Sequence, residues 1–324
     1  MQVSDIVCVR KWGGSTADAI LDPASQTFRT PEVDGLVGFR VENSCAIVFG
    51  DPVCPLEHIK ELIVAFHKYC LQKNLRVIYL IVSENFARWL IENKYCQSMI
   101  EYGKELVLDP HDDPRKKEGI YASLVRRKAR QASRNGVVVH EYIPHNDQVE
   151  EGIKQVGEKW LGARKGPQIH ISHIHTFANR HGKRWLYAKQ NEHIVGVVTL
   201  NQLENQKGWL MNHLMYTPEA SNGVAELLVV STLELLAAED CKFVTFGAVP
   251  ASQLGEMVGF GKLTSQVMKG LYSVANKIYH LDGKKKFWEK FLPGTKRAFI
   301  VFKSARLGYK ELLALKRALN ATFR

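Results

Sequence analysis

Arginine and lysine crowd one stretch of this chain: Lys116 and Lys117, then Arg126, Arg127, Lys128, Arg130 and Arg134. A guanidinium grips phosphate oxygens through two parallel hydrogen bonds, so a row of them suits an anionic polymer or surface. The same row also describes an ordinary solvated basic face. A second set of cations, Lys284, Lys285, Lys286 and Lys290, stands far along the chain. It could hold the end of a nucleic acid or a lipid headgroup, or simply face water. Asn212 and His213 are adjacent in a segment with strand character, where alternation puts one side chain inward and the other outward. His213 has the type of a general base and equally of a structural histidine. Glu226 falls one turn into the helix that follows, where a carboxylate can orient an amine or merely complement the helix dipole. Asn222 adds an amide in the intervening loop. His173 and His175 could share a strand face with His170 nearby, but no cysteine or acid accompanies them, so no metal is expected.

These groups need elements to position them. From about Ile120 the basic run reads as a helix, because Ala122, Val125, Ala129 and Ala132 recur at i, i+3, i+7 and i+10 beneath the cations. Asn135-Gly136 marks its end. Ahead of it, residues 1–32 are poorly patterned, with Gly13-Gly14, Pro23 and Pro31 marking loops. A hairpin follows over 36–41 and 45–49, then a helix over 56–71, a strand over 77–82, a helix capped by Ser83 and a strand over 105–108. Beyond the basic helix come a strand over 137–143 and a helix capped by Asn146 or Asp147. A three-stranded meander follows (184–189, 194–202, 208–216), then a polar loop over 217–223, a helix over 224–239 and a strand over 242–247. Segment 255–279 is helical in part, 283–291 is a short basic helix, 297–302 a strand and 309–319 a terminal helix. Meander, loop, helix, strand, helix, strand is the order of the acetyltransferase-like (GNAT-type) fold, and the first half carries a shorter version of it. The expected class is α/β (α+β): two tandem GNAT-type domains, residues 1–114 and 137–324, joined by a basic helix within 115–136.

Composition agrees with two cores. The chain has 324 residues, is 45% hydrophobic and carries a formal net charge of +11. Its cysteines, Cys8, Cys45, Cys54, Cys70, Cys96 and Cys241, show no paired spacing and read as reduced thiols. No signal-peptide pattern opens the chain and no run approaches the ~20 apolar residues of a membrane span. The expectation is a cytoplasmic protein, peripherally associated with a membrane.

Four stretches in order resemble one family: "FGDPVCP" (49–55), "GKELVLDP" (103–110) with "LVRRKARQASRNG" (124–136), "SNGVAELL" (221–228) and "YHLDGKKKFWEKFLP" (279–293). This series looks like the soluble aminoacyltransferase portion of aminoacyl-phosphatidylglycerol synthases, over nearly the whole chain. "GPQIHISHIH" (166–175) and "FIVFKSARLG" (299–308) are closer to the similar domain of fungal ergosteryl aminoacyl-ester synthases. The resemblance implies transfer of an aminoacyl group from a charged tRNA to a lipid hydroxyl, with phosphatidylglycerol or a similar lipid or sterol as acceptor. Such a tRNA ester is already activated, so no cofactor is implied beyond aminoacyl-tRNA as co-substrate. By this resemblance Lys116, Lys117, Arg126, Arg127, Lys128, Arg130 and Arg134 bind tRNA. Asn212, His213, Glu226 and Lys285 serve the chemistry, and Lys290, Lys286 and Asn222 bind substrate. The chain departs from the bacterial pattern at Asn212-His213-Leu214-Met215, where those enzymes usually read Asp-Leu-Met-Arg, and at Gly283-Lys284-Lys285 in place of Gly-Leu-Arg. A changed amino acid, a changed lipid or lost activity would each account for this.

Two rival functions share the pattern. A coenzyme-A-dependent N-acyltransferase would need a glycine-rich loop to cradle pyrophosphate, whereas loop 217–223 has one glycine, one acid and no base. A non-catalytic RNA- or membrane-binding module would need only the cations.

Overall fold

The computed structural model describes residues 3–164, 176–279, 282–305 and 308–319. The first half contains α1 (Val3–Trp12), a 3-10 turn (Ala17–Leu21), β1 (Gln26–Phe28), β2 (Val37–Glu42), β3 (Cys45–Phe49), α2 (Ile59–Gln72), β4 (Arg76–Ser83), α3 (Glu84–Glu92) and β5 (Ser98–Leu108). The basic helix is α4 (Ile120–Arg134). After it come β6 (Val138–Glu141), α5 (Asp147–Gly162), β7 (Lys183–Gln190), β8 (His193–Leu203), β9 (Gly208–Tyr216), α6 (Val224–Ala238) and β10 (Val244–Pro250). The chain continues through β11 (Met257–Val258), α7 (Lys262–Tyr279), α8 (Asp282–Glu289), β12 (Gly294–Phe302) and α9 (Tyr309–Ala318).

Local chemistry explains most boundaries. Asn43 and Ser44 take positive φ values of 48° and 61°, the paired left-handed geometry of a tight hairpin between β2 and β3. Ser83 Oγ accepts a hydrogen bond from the Phe86 amide at 3.2 Å and starts α3, and Asn146 Oδ1 does the same for α5 through Val149. In α4 the buried residues are Ala122, Val125, Ala129 and Ala132, the expected stripe.

The strands form one mixed sheet ordered β1-β2-β3-β4-β12-β5-β10-β9-β8-β7-β6, with β11 also on β5. In the first half β2 and β3 are antiparallel and β3 and β4 are parallel across α2. In the second, β8 and β9 are antiparallel and β9 and β10 are parallel across α6. The mixed α/β class is as expected. The boundaries 1–114 and 137–324 do not divide the strands into two sets, however. β5 pairs with β10 across them, and β12 lies between β4 and β5, antiparallel to both.

The structure adds to two local readings. Residues 1–32, poorly patterned in sequence, hold α1, the 3-10 turn and β1. Their pattern is weak because the helix is held by tertiary contact. Cys8, Val9, Ala17, Ile20 and Leu21 pack with Leu36 and Val53, and Arg10 is 1% exposed. The strand expected at 105–108 begins at Ser98. Its polar members misled the periodicity, since Glu101 is satisfied by Arg297 on β12 (2.8 Å) rather than by water.

Candidate functional site

The outward face of α4 is a groove of about 500 Å³ lined by Ser123, Arg126, Arg127, Arg130, Gln131, Arg134 and Asn135. Its cations have different duties. Arg126 donates to the carbonyls of Arg115 and Lys117, and Lys117 pairs with Asp112 at 2.6 Å, so both tie the preceding loop to the helix. Lys128 donates to Asn222 Oδ1 at 2.6 Å. Arg127, Arg130 and Arg134 are exposed, and each is without an ion-pair partner among the described residues. These three are the groups available to an anion. Arg115, which lines a neighbouring depression with Arg126, Arg130 and Arg134, pairs with Asp113 at 2.8 Å and Glu234 at 2.5 Å.

One end of this groove meets the start of α6. Gly223 has φ +99°, and a Cβ there would stand 2.0 Å from the Lys128 carbonyl oxygen, so only glycine lets α4 and α6 approach so closely. Gln190 Nε2 donates to Asn135 O (2.9 Å) and Ser221 Oγ (2.6 Å), fastening loop 217–223 to the end of α4. One turn into α6, Glu226 is 7% exposed and forms an ion pair with Lys290, which follows α8. The Lys290 ammonium also lies 4.1 Å from the centre of the Phe287 ring. Beneath them Phe246 and Trp288 stack at 4.2 Å. The β9–β10 ladder stops after Val244↔Trp209 and Thr245↔Leu210, whereas β3–β4 continues for five pairs. The carboxyl ends of parallel strands that part in this way are the usual place for a ligand in an open α/β sheet.

Asn212 and His213 lie elsewhere. Alternation would send them to opposite faces, but the β8–β9 register shifts between Thr199↔His213 and Leu200↔Met211, leaving Asn212 as an extra residue. Met211 and Leu214 both join the core on the α6 side. Asn212 and His213 both turn to the other side: Asn212 Nδ2 donates to Asp18 Oδ2 at 3.3 Å, and His213 Nδ1 is 3.2 Å from Thr199 Oγ1. Arg10 Nη2 is 2.7 Å from Asp18 Oδ1. Burial acts to raise the Asp18 pKa, but the charges of Arg10 and Lys183 outweigh it and hold the carboxyl below its ordinary range. Asn201, 1% exposed, completes this polar cluster, with neither amide atom hydrogen-bonded to a described residue. Arg10, Asp18, Lys183 and Asn201 were missed from sequence because up to 191 positions separate them and no spacing links them.

The candidates therefore fall into two groups on opposite faces of the meander: Glu226 with Lys290 and Asn222 on the α6 side, Asn212 with His213 on the side of α1 and α5. Of the lysines in and just after α8, Lys290 reaches Glu226, while Lys285 pairs with Glu289 at 3.5 Å on its own helix and Lys286 is exposed. Met215, where the resembling family usually has arginine, is fully buried against Val156 and Trp185. His170, His173 and His175 lie outside the described residues.

Residues 11–302 match the model of the family described as phosphatidylglycerol lysyltransferase, C-terminal. A phosphatidylglycerol lysyltransferase of Staphylococcus epidermidis is 17% identical over 319 residues, covering 96% of this chain and 37% of that protein. One from Bacillus subtilis is 20% identical over 267 residues, 80% of this chain and 30% of its own length. The chain thus spans about a third of these relatives. Among solved structures, L-PGS from Bacillus licheniformis superposes with a TM-score of 0.81 at 17% identity, covering 98% of this chain and 96% of that one. The lysylphosphatidylglycerol-synthetase-type C-terminal domain from Agrobacterium fabrum gives 0.76 at 16% identity, covering 98% and 93%. With the family model matched over most of its length, this chain belongs to the phosphatidylglycerol lysyltransferase C-terminal family.

Proposed function

We propose that the chain transfers an amino acid from aminoacyl-tRNA to the hydroxyl of a lipid, phosphatidylglycerol or a similar lipid or sterol. The observation that carries this reading is the junction of α4 and α6: an arginine-lined groove ends where Asn222, Glu226 and Lys290 begin. RNA phosphates would lie on Arg127, Arg130 and Arg134, with Lys116 beside them. The aminoacyl end would reach the parted strand ends beside α6. There the lipid hydroxyl oxygen attacks the ester carbonyl carbon, the bond to the tRNA ribose oxygen breaks, and the hydroxyl proton ends on that ribose oxygen. Glu226 orients the amino group of the transferred residue, and Lys290 faces the negative charge that grows on the carbonyl oxygen. No cofactor is needed, because one ester replaces another.

A coenzyme-A reading is disfavoured by the same junction. The α6 amino terminus, where pyrophosphate would sit, is packed on the Lys128 carbonyl and carries buried Glu226 in its first turn. The proposed setting is the cytoplasmic face of a membrane, approached peripherally. Among the described residues no helix is long and apolar enough to cross one.

The test is a transfer assay with total tRNA charged with radiolabelled amino acids and a mixed lipid extract. Label that enters the organic phase and is lost after ribonuclease treatment is the expected result. Label moving equally well after ribonuclease treatment, or from an acyl-coenzyme A alone, would overturn the proposal.

A further inference from the structure

The two faces of α7 have different surroundings. On the inner face Met268 packs against a cluster containing Ile100 and Phe302, Tyr272 Oη donates to Ala251 O at 2.6 Å, and Asn276 Nδ2 donates to Ser252 O at 3.2 Å. On the outer face Leu263, Val267, Leu271, Val274 and Ile278 recur at i, i+4, i+8, i+11 and i+15. They are exposed by 76%, 54%, 51%, 57% and 39%, and within the helix they span only about 80° of arc. Scattered exposed aliphatics are ordinary, but a continuous stripe over four turns marks a contact surface.

The chemistry of the helix selects the occupant. Lys277 is exposed beside the stripe, Lys262 and Lys269 are exposed farther round the helix, and residues 262–279 contain no acid. An apolar stripe on a helix whose only charged side chains are cations suits the boundary between headgroups and acyl chains of an anionic bilayer, where apolar burial and phosphate attraction add. The chain's net charge of +11 acts in the same direction. The helix ends two residues before α8, after which Lys290 meets Glu226, so a contact along α7 would bring the proposed transfer site to the lipid surface.

We infer that α7 is the membrane-docking element, lying in the surface of an anionic bilayer with its aliphatic stripe among the acyl chains and Lys277 at the phosphates. This deepens the lipid-acceptor reading, and docking is measurable without transfer. The described cysteines are all buried, so a single exposed cysteine can carry an environment-sensitive fluorophore. Labelled Val267→Cys should shift to the blue with vesicles of equimolar phosphatidylcholine and phosphatidylglycerol, and far less with phosphatidylcholine alone. Labelled Gln155→Cys on α5 should not move. The double variant V267D/L271D should lose at least about tenfold in co-sedimentation with the anionic vesicles. Both positions are exposed, and circular dichroism checks folding; should the variant unfold, the fluorophore result decides.

An unmoved Val267 label, or wild-type vesicle binding by a folded double variant, would overturn the inference. So would a label shift that follows protein concentration without lipid and accompanies a dimer in gel filtration, because a second copy would then cover the stripe. Vesicle docking through α7 without any amino-acid transfer would instead sink the proposed activity and leave the docking intact. Transfer to vesicle lipid that survives V267D/L271D undiminished would do the reverse.

Discussion

Glu226 and Lys290 stand 64 positions apart in sequence, yet form an ion pair largely shielded from water. Removing one partner of such a pair leaves a charge uncompensated, which costs about 3 kcal/mol where both groups are buried. Glu226→Gln should therefore lower the denaturation midpoint, and at a temperature where it stays folded it should slow transfer by more than about tenfold. Asn212→Ala, on the other side of the meander, removes only a 3.3 Å hydrogen bond to Asp18 and should slow transfer by less than about threefold. Equal losses in initial rate would show that Asn212 serves the chemistry after all. His67 offers a pH test. Burial, with the nearby Lys303 charge, pushes its pKa down to about 4 from 6.5, and its Nε2 is 2.8 Å from Tyr79 Oη. The unfolded chain takes up this proton between those values and the folded protein does not, so stability should fall as pH drops from 6.5 to 4, by about 2–3 kcal/mol. The difference in melting temperature between pH 7 and pH 4.5 should shrink in His67→Gln.

At the level of elements, the decisive contact is α4 against α6. Gly223→Ala would force a Cβ toward the Lys128 carbonyl at a left-handed position and should cost more than about 2 kcal/mol in denaturant titration. Gly162→Ala is the matched control: no atom lies within 4 Å of its added Cβ and its φ is ordinary, so stability should hold or rise slightly. The outward face of α4 is tested by Arg127→Glu with Arg130→Glu. Both side chains are exposed, so the fold should persist while RNA affinity collapses and its salt dependence flattens. Transfer should vanish with it; a double variant that loses RNA binding but keeps transfer would separate the groove from the donor. Here sequence was a good guide, because the buried residues of α4 are the four that the helical period selected.

The whole molecule is interleaved at both ends of the chain. β12 fills the space between β4 and β5, keyed there by Arg297, which reaches Glu84 at 2.8 Å, Glu101 at 2.8 Å and Glu256. Conversely, Arg10 of α1 donates to His181 O at 3.0 Å, and Asn205 donates to Trp12 O at 3.2 Å, fastening the first helix to the second half. A fragment ending at residue 136 would expose two strand edges that β12 normally covers, an invitation to aggregation. We therefore predict that residues 1–136 and 137–324 are insoluble or unfolded when expressed separately, and that co-expression restores a soluble complex detectable by gel filtration. Independent folding of either piece would contradict this account.

Local information was enough to place the hairpin at Asn43-Ser44, the caps at Ser83 and Asn146, the meander and the basic helix, because turn geometry, capping and amphipathic period act between residues near in sequence. The family resemblance, too, rested on short ordered stretches. What sequence could not supply was partnership across the sheet. The slot taken by β12, the bulge that turns Asn212 and His213 to one face, the helix hidden in the first residues and the choice of Lys290 over Lys285 as the partner of Glu226 all depend on long-range pairing. Such contacts leave no period in the chain, since their strength comes from burial and hydrogen bonding that exist only once distant segments are brought together.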